Sequence, residues 1–357
     1  MAWVPYGEPD EVAHAPNENI TQRNTSMLIA LDESYRDAGT KWLPGHELMF
    51  FNGPLAQKEV IASQLHAVEV LAIRRPFPFF VDGEFIKALP RLQFIHKSGT
   101  GIDGFDLSAL NGHGILLANN QGVNASCVAE HAVLLTLLCL RNSFQYLVNM
   151  RNGVWKQDPP PPGIFQLEGK TVGIIGMGTI GCHVAKRMAA FGASILGYQR
   201  HPRPEAAILA GVRWVPLDDL LRESDVVTLH VPLTKQTERL IGAHELGLMK
   251  PTAVLINTSR GQVIDECALY EALASRRLLA AGLDVFEQEP TPAGNPLLKL
   301  DNVFATPHIA GRSVETARGQ VEATMRDVAL FITGRRPLHL INPEILEQGT
   351  ARAKHLV

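Results

Sequence analysis

The chain carries little cysteine. Four residues in 357, Cys127, Cys139, Cys182 and Cys267, are scattered, and none forms a CxxC pair. That excludes a disulfide scaffold and favours reduced thiols in a cytoplasmic protein. Cys127 and His131 share one helical face, but no second ligand pair accompanies them, so packing accounts for them and no metal site is expected. Charge of one sign is also missing. The formal net charge is −3, which gives no electrostatic ground for a nucleic-acid or anionic-membrane partner. Long hydrophobic runs are absent too. The most apolar helical stretch, Val128 to Leu140, is interrupted by Glu130 and His131 and is too short to span a bilayer. The first 20 residues have neither a basic n-region nor an apolar h-region, so they read as a polar arm and not as a signal peptide. No internal repeat stands out.

What is present is ordinary globular composition, 46% apolar and 19% charged, in a chain long enough for two domains. Short strand-like runs alternate with helical stretches, which argues for parallel sheets covered by helices on both faces. The first set is Met27–Leu31, Glu47–Phe51, Val68–Ile73, Leu92–His96 and Ile115–Ala118. A helix is expected from Ser126 to Tyr146, then a stiff connector with Trp155 and the tract Pro159–Pro162. Six further strands are expected: Val172–Ile175, Ser194–Tyr198, Val226–His230, Val254–Asn257, Ala280–Asp284 and Val303–Thr306. A last helix, about Ser313 to Thr333, leads into a tail too short to be a domain. The tail is expected to return to the first unit. The fold class is therefore α/β with two doubly wound parallel sheets: a discontinuous domain, 1–122 with 312–357, and an inserted domain, 123–311.

The inserted domain opens on a glycine fingerprint. The apolar run Val172 to Ile175 ends in Gly176-Met177-Gly178-Thr179-Ile180-Gly181, and a helical pattern follows. Strand before and helix after is the context in which such a turn lays a dinucleotide pyrophosphate on a helix N-terminus. Gly176 permits the tight turn, Gly178 lets backbone approach phosphate, and Gly181 allows close helix–strand packing. Thr179 and Ile180 offer backbone amides. The next strand ends in Tyr198-Gln199-Arg200-His201-Pro202-Arg203, where an NAD site usually has Asp or Glu. With no carboxylate at Gln199, and with Arg200 and Arg203 able to pair with a 2′-phosphate, NADP(H) is favoured and NAD(H) stays possible.

In an open α/β sheet, ligands bind outside the carboxyl ends of the strands. Here those ends read His230-Val231-Pro232, Asn257-Thr258-Ser259-Arg260-Gly261, Leu283-Asp284 with Glu287 and Glu289 following, and Thr306-Pro307-His308. Val231, Pro232 and Thr258 are placed against the cofactor. An arginine, a carboxylate and an imidazole on the nucleotide's edge suit one chemistry. Reducing a carbonyl with a nicotinamide needs a proton donor, and histidine titrates near physiological pH. A neighbouring glutamate would favour and orient the imidazolium, and an arginine would hold a carboxylate or polarise the carbonyl.

These segments resemble the D-isomer-specific 2-hydroxyacid dehydrogenases, over about Val68 to Pro343. The carriers are Gly99-Thr100-Gly101-Ile102-Asp103, Val128-Ala129-Glu130-His131, the glycine turn, Asn257 to Gly261, Gly282 to Val285, Glu289-Pro290 and Pro307-His308-Ile309. The resemblance implies that Arg260, Glu289 and His308 are catalytic, with Arg260 and His308 also touching substrate. It implies that Asp284 contacts the nicotinamide side of the cofactor, and that the loop Gly99, Thr100, Gly101 holds the substrate carboxylate through backbone amides. It further implies a nucleotide domain inserted into a flavodoxin-like substrate domain, and a homodimer formed through the nucleotide domain. The stretch 200–204 looks most like NADP-using glyoxylate/hydroxypyruvate reductases, so the expected substrate is a small 2-oxo acid reduced to the D-2-hydroxy acid. Lys97 and Arg74 end strands of the first unit and are either substrate contacts or solvated rim charges.

The rivals are other oxidoreductases of the family and a binding protein. Formate enzymes pair glutamine with the histidine, against Glu289, and phosphite enzymes carry lysine where this chain has Thr100. A phosphoglycerate dehydrogenase remains an alternative. A nucleotide-sensing corepressor retains the same active-site motif, but no docking tail is evident here.

Overall fold

The computed structural model describes residues 26–52, 57–74, 77–155, 163–200 and 211–356. The polar arm, the proline tract and Arg203 lie outside the described residues. The chain divides into two compact units, Met1–Val123 with Ala317–Val357, and Asn124–Thr316. The sequence reading put these two crossings after residues 122 and 311.

In the first unit, β1 (Leu28–Asp32), β2 (Glu47–Phe51), β3 (Val70–Ile73), β4 (Phe94–Lys97) and β5 (Leu116–Asn119) form a parallel sheet in the order β2-β1-β3-β4-β5. That is the flavodoxin-like order. β3 and β5 are buried at every position, as strands covered on both faces must be. Alternate residues serve opposite cores. Leu71, Ile95 and Leu117 join Ile61 and Phe85 on one face, while Val70, Phe94 and Leu116 join Met325, Val328 and Phe331 on the other. The last three, at helical spacing, come from the helix Val314–Ile332, so the returning chain completes this core. Two of the unit's helices start on aspartate caps: Asp82 accepts from the Phe85 amide at 3.0 Å and Asp106 from the Ala109 amide at 2.9 Å.

The second unit holds β6 (Thr171–Ile175), β7 (Ser194–Tyr198), β8 (Arg213–Trp214), β9 (Val226–Leu229), β10 (Val254–Asn257), β11 (Ala280–Leu283) and β12 (Val303–Ala305), in the order β12-β11-β10-β9-β6-β7-β8. Counted from β6 this is the 3-2-1-4-5-6 dinucleotide-binding order with one strand added beyond the sixth. The expectation of six strands is corrected to seven. The missing one, β8, is two residues on the sheet edge, too short to show a pattern. Chain order reverses between β6 and β9, and the glycine turn leaves β6 at that point.

The single helix expected from Ser126 to Tyr146 is two, Ala125–Arg141 and Ser143–Arg151, broken at Asn142 with φ +46°. Asparagine tolerates the left-handed conformation better than most residues, and the apolar pattern runs on through the break, which is why the sequence hid it. Among the described residues no single helix is long and apolar enough to cross a membrane.

Candidate active site

The cofactor end is built by close packing. Gly176 has φ +98°, and a Cβ there would sit 2.7 Å from the His230 carbonyl. A Cβ on Gly181 would collide with the Gly176 carbonyl oxygen. These two glycines let the turn lie flat on its neighbours. A Cβ on Gly178 would meet nothing within 4 Å. Gly178 caps the helix Thr179–Ala190, so open space stands before the first helical turn. The amides of Thr179 and Ile180 there have no acceptor within the helix. A phosphate fits such a space.

Three buried polar atoms on the same edge have no hydrogen-bond partner among the described residues: Gln199 Oε1 after β7, His230 Nδ1 after β9 and Thr258 Oγ1 after β10. Orphaned buried polar groups are rare and costly, and the hydroxyls and phosphates of a dinucleotide are groups that satisfy them. The residues present therefore fit a nicotinamide dinucleotide. Burial pushes the His230 ring down to about 3, so it is neutral, and its Nε2 lies 2.9 Å from Thr228 Oγ1. Val231 is half-buried and Pro232 exposed. No carboxylate stands in Tyr198-Gln199-Arg200, and Arg200 is exposed.

Arg260 sits on a turn organised by Asn257. The Asn257 Oδ1 accepts from the Ser259 amide at 3.0 Å, and its Nδ2 donates to the Arg260 carbonyl at 2.9 Å. The Arg260 guanidinium donates to the Ser259 carbonyl at 2.7 Å. A Cβ on Gly261 would collide with the Phe286 carbonyl group, so this turn packs directly on the backbone that leads to Glu289. Glu289 Oε1 accepts from the Phe286 amide at 3.1 Å, and Oε2 lies 2.6 Å from His308 Nδ1. Burial pushes the Glu289 carboxyl up. The His308 ring, the Phe286 amide and the Arg260 charge outweigh it and hold the group below its ordinary value. Glu289 is thus a carboxylate that accepts the Nδ1–H of His308, which leaves Nε2 as the ring position for chemistry.

Asp284 is wholly buried, and its carboxylate is engaged by the turn that carries His308. It accepts from the Thr306 hydroxyl at 2.6 Å, the Ile309 amide at 2.9 Å and the Ala310 amide at 2.8 Å. The His308 amide donates to the Asp284 carbonyl at 2.8 Å.

In the first unit, the loop Gly99-Thr100-Gly101 follows β4 and is clamped by the end of β5. The Gly99 amide donates to Asn120 Oδ1 at 2.8 Å, the Asn120 amide donates to the Gly99 carbonyl at 3.2 Å, and Asn119 Nδ2 donates to the Thr100 carbonyl at 2.8 Å. The amides of Thr100 and Gly101 have no acceptor among the described residues. The Lys97 ammonium lies 3.4 Å from where a Cβ on Gly99 would stand; Arg74, at the end of β3, is half-buried.

The structure therefore brings Glu289 and His308 into direct contact with Arg260 nearby, and it sets Gln199, His230 and Thr258 at the carboxyl ends of strands on the sheet edge that bears the glycine turn. Sequence reasoning gave no role to the side chains of Asn119, Asn120, His230 and Thr306, and it assigned His131 to packing. Their signal was polarity directly after, or within, an apolar run that the fold buries.

The family model described as D-isomer specific 2-hydroxyacid dehydrogenase, NAD binding domain, matches residues 133–310. Among curated relatives, a glyoxylate reductase of Korarchaeum cryptofilum is 39% identical over 81% of this chain and 87% of its own. A D-3-phosphoglycerate dehydrogenase of Archaeoglobus fulgidus is 40% identical over 72% of this chain, which spans about half of that relative, 48%. Among solved structures, a glyoxylate reductase from Paecilomyes thermophila superposes with a TM-score of 0.80 at 29% identity, over 90% of this chain and all of that one. The chain belongs to the D-isomer-specific 2-hydroxyacid dehydrogenases, oxidoreductases that interconvert 2-oxo and 2-hydroxy acids with a nicotinamide cofactor.

Proposed function

We propose that this chain reduces a small 2-oxo acid, of the glyoxylate or hydroxypyruvate kind, to the D-2-hydroxy acid, with NADPH preferred over NADH. The observation that carries the reading is the 2.6 Å contact of Glu289 with His308 Nδ1, on the strand edge that also bears the glycine turn and Arg260. When bound, the reduced nicotinamide supplies a hydride to the C2 carbonyl carbon. His308 gives its Nε2 proton to the carbonyl oxygen, and the Glu289 carboxylate stabilises and orients the ring. Arg260 binds the substrate carboxylate or polarises the carbonyl. Within the first unit, the amides of Thr100 and Gly101 are donors for a carboxylate. Residues 1–122 with 312–357 are assigned to substrate and 123–311 to the nucleotide.

The absence of a carboxylate at Gln199 and the exposed Arg200 support NADP(H). The exposed apolar side chains Leu134, Leu147, Met150, Val154 and Trp155 support a homodimer formed through this unit. Free thiols suit a reducing, cytoplasmic compartment. Steady-state kinetics with NADPH and NADH against glyoxylate, hydroxypyruvate, pyruvate and phenylpyruvate tests the proposal. No oxidation of either cofactor with any of these acids overturns it, and oxidation of 3-phosphoglycerate alone would assign the phosphoglycerate reaction instead.

A further inference from the structure

We infer that His131 and Thr306 are positioning residues for His308, acting through the Asp284 carboxylate; this rests on the reading of His308 as proton donor. His131 stands on the helix Ala125–Arg141. Its Nε2 lies 2.9 Å from Thr306 Oγ1 and 3.6 Å from Asp284 Oδ1. The directions of these bonds follow from chemistry. A carboxylate only accepts, so the Thr306 hydroxyl donates to Asp284 Oδ1 at 2.6 Å. That uses its one proton, so toward His131 the hydroxyl accepts. The His131 proton is therefore on Nε2. Burial lowers the ring's proton affinity against the pull of Asp284, so His131 acts as a neutral donor.

The carboxylate that this pair orients closes the turn around His308. Oδ1 and Oδ2 take the amides of Ile309 and Ala310, the two residues that follow it. The Asp284 carbonyl takes the amide of His308 itself. His308 has φ +51°, a conformation that is unfavourable for any residue with a Cβ and persists only where its surroundings over-determine it. Asp284 follows β11 and Thr306 follows β12, so the network ties two strand ends to one helix beneath the histidine. Among the described residues, the His131 Nε2 and the Thr306 hydroxyl find their hydrogen-bonding partners in each other and in Asp284.

The test compares His131→Phe and Thr306→Val, which remove the bonds, with His131→Gln and Thr306→Ser, which keep a donor and a hydroxyl. Turnover, Michaelis constants, NADPH affinity by fluorescence titration, melting temperature and the pH profile are measured on each full-length variant. A misplaced donor typically costs up to about 100-fold in rate. The expected result is a fall in kcat of roughly tenfold to 100-fold in His131→Phe and in Thr306→Val, with NADPH affinity within about threefold. Most of that loss should be recovered in His131→Gln and Thr306→Ser. The acid limb of the profile should also rise, because a drifting ring frees the Glu289 carboxyl to protonate earlier. Unchanged kcat in folded His131→Phe, beside an inactive His308→Gln, overturns the inference. A loss that follows melting temperature and is not recovered by Thr306→Ser overturns it as well. If His131→Phe fails to fold, the Thr306 pair decides. Full turnover in His308→Gln would instead sink the proton-donor reading.

Discussion

Glu289 Oε2 lies 2.6 Å from His308 Nδ1, across 18 intervening residues of chain, and so assigns the ring's two nitrogens different work. One is held by a carboxylate, and in the proposed mechanism the other serves the substrate. His308→Gln should lower kcat by roughly 100-fold to 10,000-fold with NADPH affinity unchanged, as expected for loss of a positioned acid. Glu289→Gln should cost less and should change the pH profile. Glu289 is held below its ordinary value, so its support for the ring is full at and above that ordinary value and disappears as pH falls through the lowered one. The wild-type acid limb should therefore be missing in Glu289→Gln, and a retained limb would assign it to another group.

In the proposed reading, Gln199 stands where a carboxylate would repel a 2′-phosphate and bond the ribose instead. Gln199→Asp should shift the ratio of kcat/KM for NADPH over NADH toward NADH by about tenfold or more, where tenfold corresponds to about 1.4 kcal/mol. An unaltered ratio would mean that the discrimination lies elsewhere.

Gly181 has the Gly176 carbonyl where its side chain would be. Gly181→Ala should destabilise the protein by about 1–3 kcal/mol, the usual range for overpacking, and weaken NADPH binding by moving the turn. Gly178→Ala meets open space, so it should leave stability nearly unchanged and weaken only cofactor binding. Thermal melts with and without NADPH distinguish the two.

Far from that turn in sequence, the Asp327 carboxylate is wholly buried in the first unit, 2.9 Å from His339 Nδ1 and 3.3 Å from His96 Nε2, and it accepts from the Leu338 amide at 2.8 Å. Burial raises its carboxyl, but the hydrogen bond from His339 and the close approach of the His96 ring prevail and take it down to about 2 from 3.8. That difference corresponds to about 2 kcal/mol. The stability it contributes is present above pH 3.8 and is lost as pH falls from there toward 2. Asp327→Asn should lower stability near neutral pH and flatten its dependence across that window. Denaturant unfolding at several pH values measures this, and a slope equal to wild type would exclude Asp327 as its source.

Much of the architecture was legible because its signals are local. Val172 to Ile175 and Val254 to Asn257 are apolar runs that only a sheet covered on both faces can bury, and the glycine spacing at 176–181 constrains a turn over six residues. Legibility failed where a feature depends on distant chain. Arg213 and Trp214 form a strand only because Leu196 and Gly197 lie beside them. The helix breaks at Asn142 inside an apolar pattern that gives no warning. Nor does the sequence reveal that the Asp284 carboxylate, placed beside the cofactor by resemblance, is also engaged by residues 306, 309 and 310.

By itself the sequence determined the class of fold and the glycine turn, and it singled out His308, Glu289 and Arg260 as the proposed acid, helper and anion clamp, because backbone periodicity, glycine stereochemistry and side-chain type are properties of short segments. Tertiary structure alone decided which nitrogen of His308 is held, which buried atoms at the ends of β7, β9 and β10 lack a partner among the described residues, and how His131 and Thr306 close on Asp284. Those are relations between strand ends brought together by sheet order. Hydrogen bonds form only at contact distance, and no spacing along the chain encodes which distant residues will come into contact.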